Sequence, residues 1–322
     1  MIKLDKYDKK ILYELDKNCR TPISKIARKV RLSREVVNYR IKKLENTGLI
    51  EGYYPLINIT TMGYLYVIFF IKLCKFNNRT QNIIIESLKM DPIVGWLGTQ
   101  ESYWDIAVVV LVKDIFELQN WLNKFNLKFS KYLADKKVDI NTKVLYFMNK
   151  FLYDINDTSY STGVGEHKKV EVDDLDIQIL KELTKDCKIP ITRMAYTLNR
   201  DIATIKKRIS SLIKLGVLQS FKPIINYSLI GYNYYHVSLY LKNHTKEDIK
   251  QLTNYIRSYP TIIFYVLSIG KADIEFEIMV KSHQKLYHTI QELKAKFSKI
   301  IYNAESVRIV KVHKIVYMPL TL

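Results

Sequence analysis

The chain predicts an α+β protein built as a tandem duplication, each copy a short helical module followed by a β-α-β-β-α-β sheet module. The first observation behind this is an internal echo at a fixed distance. Asp5, Asp8, Cys19, Pro22, Arg40, Gly48, Pro55, Asn58, Gly63, Pro92 and Asp105 return 168 positions later as Asp173, Asp176, Cys187, Pro190, Arg208, Gly216, Pro223, Asn226, Gly231, Pro260 and Asp273. Phe129-Ser130-Lys131 returns as Phe297-Ser298-Lys299. This period far exceeds the roughly 20–50 residues of a solenoid repeat, so a whole protein has been doubled. The second observation is apolar spacing that switches from helical to strand period inside each copy. The third is that cap and turn residues fall between these segments. The boundaries that follow are helical module 1–60, sheet module 61–154, linker 155–168, helical module 169–228 and sheet module 229–322.

Each helical module reads as three helices. Asp5 and Asp8 suit the free N–H groups at the start of the first, where Ile11, Leu12 and Leu15 share an apolar face. Thr21-Pro22 predicts a capped start for the second, with Ile23, Ile26, Ala27 and Val30 inward. Ser33 is the expected N-cap of the third, where Val37, Ile41 and Leu44 recur at helical spacing and Gly48 closes the end. Residues 49–53 read as a wing. In the second copy Ile205, Ile209 and Leu212 repeat the stripe, and Asp201 replaces Ser33. Ile189 replaces Thr21, an expected loss of about 1 kcal/mol of capping.

Three short helices with a tight second turn make a helix-turn-helix, whose third helix presents its polar face to a major groove. On that face the first copy offers Ser33, Arg34, Glu35, Asn38, Tyr39 and Lys42. Arg34 suits a guanine edge and Asn38 an adenine. Arg28, Lys29, Arg31, Arg40 and Lys43 suit phosphates. In the second copy Arg34, Glu35 and Asn38 become Ile202, Ala203 and Lys206. That head keeps Arg200, Thr204, Lys206, Lys207, Arg208 and Lys214, a set for backbone affinity more than base reading.

Charge points to the same partner. Lys and Arg outnumber Asp and Glu by 51 to 32, a net +19 that favours an anionic partner, double-stranded DNA first. Residues 1–60 carry 14 basic and 7 acidic side chains, whereas 61–167 carry 12 and 11. The longest apolar run, around Leu65–Ile71, is far short of the roughly 20 residues of a membrane helix, and no signal peptide opens the chain. A cytoplasmic protein without a membrane partner is expected. Cys19, Cys74 and Cys187 lack paired metal or redox spacing, and no metal or cofactor is expected.

After each wing the order β-α-β-β-α-β is that of a ferredoxin-like split motif. Tyr66, Ile68 and Phe70 alternate with Val67, Phe69 and Ile71, so this strand is apolar on both faces and needs cover on both. Helices cover one face, and the duplicate is the simplest cover for the other. The polar linker, with Asn-Asp-Thr-Ser-Tyr-Ser-Thr-Gly-Val-Gly, is expected to be flexible and to span roughly 45 Å when extended. It would let the copies fold together as an intramolecular pseudo-dimer at an effective concentration of roughly millimolar.

With these residues in place, each unit resembles a regulator of the Lrp/AsnC, or feast/famine, family. The resemblance rests on Leu32-Ser33, Val37, Arg40-Ile41, Leu44-Glu45, Gly48-Leu49-Ile50 and Gly52-Tyr53, echoed by Arg208-Ile209, Leu212, Gly216-Val217-Leu218, Pro223 and Gly231. It implies DNA-binding transcription regulators that pair through their sheet modules, often assemble further, and often sense amino acids. The family's effector region includes a Gly-x-x-Asp turn. Gly270 and Asp273 match it in the second copy, whereas the first reads Ser102-Tyr103-Trp104-Asp105. Asp105 and Asp273 are therefore either effector ligands or pins of a hairpin.

Two rivals remain. An architectural or co-regulatory protein would bind DNA without sequence preference or contact the transcription machinery. Siroheme decarboxylases resemble the same family and imply His and Arg side chains acting on a tetrapyrrole carboxylate. Here His167, His236, His244, His283, His288 and His313 all lie in the linker or second copy, none near Gln100–Asp105 or Ser268–Asp273. A non-enzymatic protein is expected.

Overall fold

The computed structural model describes residues 1–74, 78–153, 157–165, 169–270 and 272–319. The first copy runs α1 (Lys6–Lys17), α2 (Ile23–Val30), α3 (Arg34–Asn46), β1 (Ile50–Ile57), β2 (Leu65–Leu73), α4 (Asn78–Met90), β3 (Val94–Glu101), β4 (Ile106–Val112), α5 (Ile115–Phe129) and β5 (Leu133–Phe147). A short α6 (Lys150–Tyr153) and β6 (Tyr160–Val164) join it to α7 (Asp174–Lys185), α8 (Ile191–Thr197), α9 (Ile202–Lys214), β7 (Leu218–Ile225) and β8 (Asn233–Leu241). There follow α10 (Lys246–Ser258), β9 (Ile262–Ile269), β10 (Ile274–Val280), α11 (His283–Lys296) and β11 (Ile301–Ile315).

Most caps fall where the residue types place them. Asp5 and Asp8 close a capping box on α1, Ser33 accepts the Val36 N–H at 3.2 Å, and Asp201 accepts the Thr204 N–H at 2.8 Å. The second helix differs from expectation. Pro22 and Pro190 are themselves the N-caps of α2 and α8, and neither helix has a side-chain cap. A residue before proline is pushed toward extended backbone, so Thr21 sits one position too early to cap, and Ile189 loses nothing there.

Within each copy the strand order is ferredoxin-like, β5-β2-β4-β3 and β11-β8-β10-β9. The two sets do not simply stack. β5 pairs with β2 up to Asn141, then with β9 from Ile140 to Tyr146. β11 pairs with β8 up to Arg308, then with β3 from Arg308 to Ile315. The eight strands close into one barrel, which removes the exposed edges that a separate sheet would carry. Val67, Phe69 and Ile71 face outward onto Ile84, Leu88, Trp121 and Phe125 of α4 and α5. Tyr66, Ile68 and Phe70 face the other way, into a cluster shared with the second copy. The duplicate does cover the free face, by closure.

The stretch expected to be a flexible tether contributes β6, which pairs with β5 from Val144 to Phe147. Beyond Asn141 the partner β2 has left that edge of β5, so its backbone groups need new partners, and β6 supplies them. Gly163 fits there because a Cβ would stand 2.6 Å from the Tyr146 ring. Residues 155, 156 and 166–168 of the expected linker lie outside the described residues.

The helical modules meet through their wings. β1 and β7 pair antiparallel, with Tyr54 opposite Lys222, its own counterpart 168 positions on. The Asn58 N–H donates to Val217 O at 2.8 Å and the Asn226 N–H to Leu49 O at 2.9 Å, the same bond made twice in reciprocal directions.

Candidate nucleic-acid interface

The buried stripe of α3 is Val37, Ile41 and Leu44, and that of α9 is Ile205, Ile209 and Leu212. Burying these sides turns the opposite sides outward. Arg28, Arg31, Ser33, Arg34, Glu35, Tyr39, Lys42 and Lys43 are exposed and Asn38 is half-buried. On the second head Arg200, Lys206, Lys207 and Lys214 are exposed, with Thr204 half-buried and bonded through its hydroxyl to Asp201 at 2.6 Å. The tight turn before each third helix is also duplicated. Arg31 and Asn199, again 168 apart, both take positive φ (59° and 49°). Such backbone is rare for residues other than Gly, and it turns the chain sharply into the third helix.

Three cations expected on phosphates are engaged within the protein. Arg40 Nη1 lies 2.7 Å from both Asp5 and Asp8, tying α3 to the start of α1. Arg208 makes the matching pairs with Asp173 at 2.7 Å and Asp176 at 3.3 Å. Lys29 pairs with Glu14 of α1. For the two arginines the reason is the capping box: its carboxylates sit beside the third helix, and an Arg there neutralises them.

The turns bearing Asp105 and Asp273 are likewise used internally. Asp105 accepts the Leu73 N–H at 2.8 Å and Asp273 accepts the Leu241 N–H at 2.7 Å, so both carboxylates pin equivalent hairpins to the neighbouring strand. Gly270 stands against the first copy, where a Cβ would lie 2.0 Å from Asp139 Oδ1. Lys271 lies outside the described residues. This geometry supports pinning, one of the two roles the sequence leaves open.

One polar group was missed by sequence reasoning. His236 and Glu275 are buried and Glu277 is half-buried on the inner wall of the barrel. His236 Nε2 lies 3.3 Å from Glu275 Oε1, Ser238 Oγ donates to Glu275 at 3.2 Å, and Tyr234 donates to Glu277. The available signal was the echo itself, since their counterparts are Ile68, Ala107 and Val109.

The family described as winged helix-turn-helix DNA-binding matches residues 4–51 and 172–219, the two heads just described. An uncharacterized HTH-type transcriptional regulator of Pyrococcus horikoshii is 28% identical over 137 residues, covering 42% of this chain and 85% of that protein. The HTH-type transcriptional regulator LrpA of Bacillus subtilis is 32% identical over 100 residues, 31% of this chain and 65% of that one. The chain is built from two Lrp/AsnC-type units. Each Lrp/AsnC-type unit thus brings its winged head and its sheet, and the sheets share one barrel. The same whole-chain arrangement is found in the crystal structure of the siroheme decarboxylase NirDL, with a TM-score of 0.63 at 13% identity over 98% of this chain and 94% of that one. At that identity the likeness is one of fold. Among the described residues no helix is long and apolar enough to cross a membrane.

Proposed function

We propose that the chain is a DNA-binding transcription regulator in which one polypeptide does the work of a dimer. The observation that carries this is the pair of winged heads, joined wing to wing, with their basic third-helix faces turned to solvent. The heads are unequal. Arg34 and Asn38 give α3 groups that distinguish bases, and Tyr39, Lys42 and Lys43 flank them. α9 offers Lys206, Lys207 and Lys214, which attract phosphates regardless of sequence. Arg200 and Arg31 flank the two turns, and Arg28 lies on α2. The named relatives are transcriptional regulators, which supports the same reading.

A decarboxylase reading draws on the fold shared with NirDL and on His236 facing a cavity. The charge lining that cavity speaks against it. Lys222 is paired with Asp16 and His236 with Glu275, and Glu277 adds a further acid. A carboxylate-bearing tetrapyrrole would meet few uncommitted cations.

Selection of bound duplexes from a random pool by the purified chain, followed by salt titration, tests the proposal. One strong and one weak half-site is the expected result. Binding without enrichment and with a steep salt slope would support the architectural class instead.

A further inference from the structure

A cavity of about 530 Å³ lies between the paired wings and the barrel. Asp16, Tyr54 and Lys222 line it from the heads, and Tyr66, His236 and Glu277 from the barrel. It reaches solvent past the exposed Ser228, Arg308 and Lys311. Its size falls within the roughly 300–1,000 Å³ of small-molecule sites.

Its polar wall is not required by the fold. The copies have the same strand order, yet Ile68, Ala107 and Val109 in one stand where His236, Glu275 and Glu277 stand in the other. The apolar set is the less costly way to fill such a position, because buried polar groups lose hydration. The second copy therefore carries a polar cluster that its own duplicate shows to be dispensable for folding.

The charges inside are unequal in a specific way. Lys222 Nζ lies 3.0 Å from Asp16 Oδ1, and His236 lies 3.3 Å from Glu275. At the rim Arg308 pairs with Glu101 at 3.2 Å. The Glu277 carboxyl is bonded to the neutral Tyr234 hydroxyl. Burial pushes Glu277 above the usual carboxyl range, outweighing the pull of the His236 imidazole on the neighbouring strand and of the Tyr234 bond. Asn141, only 5% exposed, has a side-chain oxygen with no hydrogen-bond partner among the described residues, as does Gln100 Oε1. Both residues line the same cavity, so it holds spare acceptors. Around them stand aromatic faces: Tyr317 packs on Tyr54, Tyr66 and Tyr146 with ring centroids 5.7, 6.4 and 5.6 Å away.

We propose that this cavity binds a small organic cation, an ammonium group carried on an apolar body about the size of an aromatic ring. The ammonium faces Glu277, with Asn141 and Gln100 as further acceptors, and the body lies among the tyrosines. Aromatic faces and a carboxylate attract such a cation together, and desolvation strengthens both contacts. The inference stands whether or not the chain regulates transcription.

Calorimetric titration of the full chain tests it with phenethylamine, the neutral phenylethanol, the anionic 3-phenylpropionate and uroporphyrin. The amine should bind one site about tenfold or more tighter than the other three. Glu277→Gln should remove that preference and leave phenylethanol unchanged. The amide keeps a partner for Tyr234, and a thermal melt checks that the variant folds. Should it not fold, Asn141→Leu reads the same cavity and should weaken the amine alone. Equal binding of amine and alcohol overturns the proposal. So does preference for either anion, amine affinity unchanged in the variant that folds, or no saturable amine binding up to about 10 mM.

Discussion

The Sγ atoms of Cys19 and Cys187 lie 3.7 Å apart, although the residues are 168 positions apart in the chain. The duplicated heads therefore meet at equivalent points, as subunits do across a two-fold axis. Arg20 fastens the seam by donating to the carbonyl oxygens of Cys187 at 2.7 Å and Ile189 at 2.9 Å. The hydrogen bond between the thiols, together with burial, raises the Cys187 thiol far above its ordinary range. The thiolate is the reactive form, so Cys187 should resist alkylation, and burial shields Cys19 from reagent as well. Iodoacetamide should modify exposed Cys74 in the native protein and all three cysteines after denaturation. Native labelling of Cys19 or Cys187 at a comparable rate would mean that the seam opens readily.

Arg40 and Arg34 lie on one helix but should fail differently. Arg40 holds the Asp5–Asp8 capping box, so Arg40→Ala should cost about 1 kcal/mol of stability and leave sequence preference intact. Arg34 is exposed at the helix start, and Arg34→Ala should keep stability but relax one half-site position by about 1–3 kcal/mol. Urea melts beside binding to single-base variants separate the two. A shifted base preference in Arg40→Ala would return that residue to the interface.

The echo made the architecture legible because scaffold residues are held by local rules. Caps at Asp5, Ser33 and Asp201 and the alternating faces of β2 depend only on near neighbours, and they fall as read. Barrel closure was less legible. It depends on β5 and β11 each changing partner midway, and no residue within those strands marks the change. The β6 strand was hidden for a similar reason, since its Ser, Thr and Gly are loop residues that become a strand only beside an unpaired edge. At the interface, side-chain type alone could not divide Arg34 from Arg40, because the difference lies in what crosses above each.

Lys222 and Asp16 form a buried pair that joins the heads, their side chains 7% and 2% exposed. Asp16 Oδ2 also accepts the Asn149 N–H at 3.0 Å and the Tyr153 hydroxyl at 3.1 Å. The counterparts of Lys222 and Asp16 are Tyr54 and Thr184, so the pair exists on one side only. Lys222→Met should leave a buried carboxylate uncompensated and cost about 3–5 kcal/mol in urea unfolding. Adding Asp16→Leu should recover part of that loss, because two apolar side chains need no counter-charge. A double variant no better than the single one would show that Asp16 stabilises mainly through Asn149 and Tyr153.

The His236–Glu275 pair makes stability depend on pH. Burial opposes the charged imidazole, but the Glu275 carboxylate outweighs it and holds the His236 pKa above its ordinary 6.5. Burial likewise opposes charge on Glu275, and His236 outweighs it, holding that carboxyl below 4.5. A raised histidine contributes stability that is fully present below 6.5 and is lost as pH rises through its folded value. The lowered Glu275 contributes stability that is present above 4.5 and is lost as pH falls through its own folded value. Glu277 is raised chiefly by burial, so it also favours the folded state less as pH climbs above 4.5. Melting temperatures of wild type and His236→Gln between about pH 6 and 9 read the histidine together with its coupling to Glu275 and Glu277. The wild-type advantage should be largest at the acid end and shrink toward the alkaline end, as the imidazole loses the charge that both carboxylates favour. An advantage that stays constant over that range would mean that His236 is neutral throughout and pairs with Glu275 without charge.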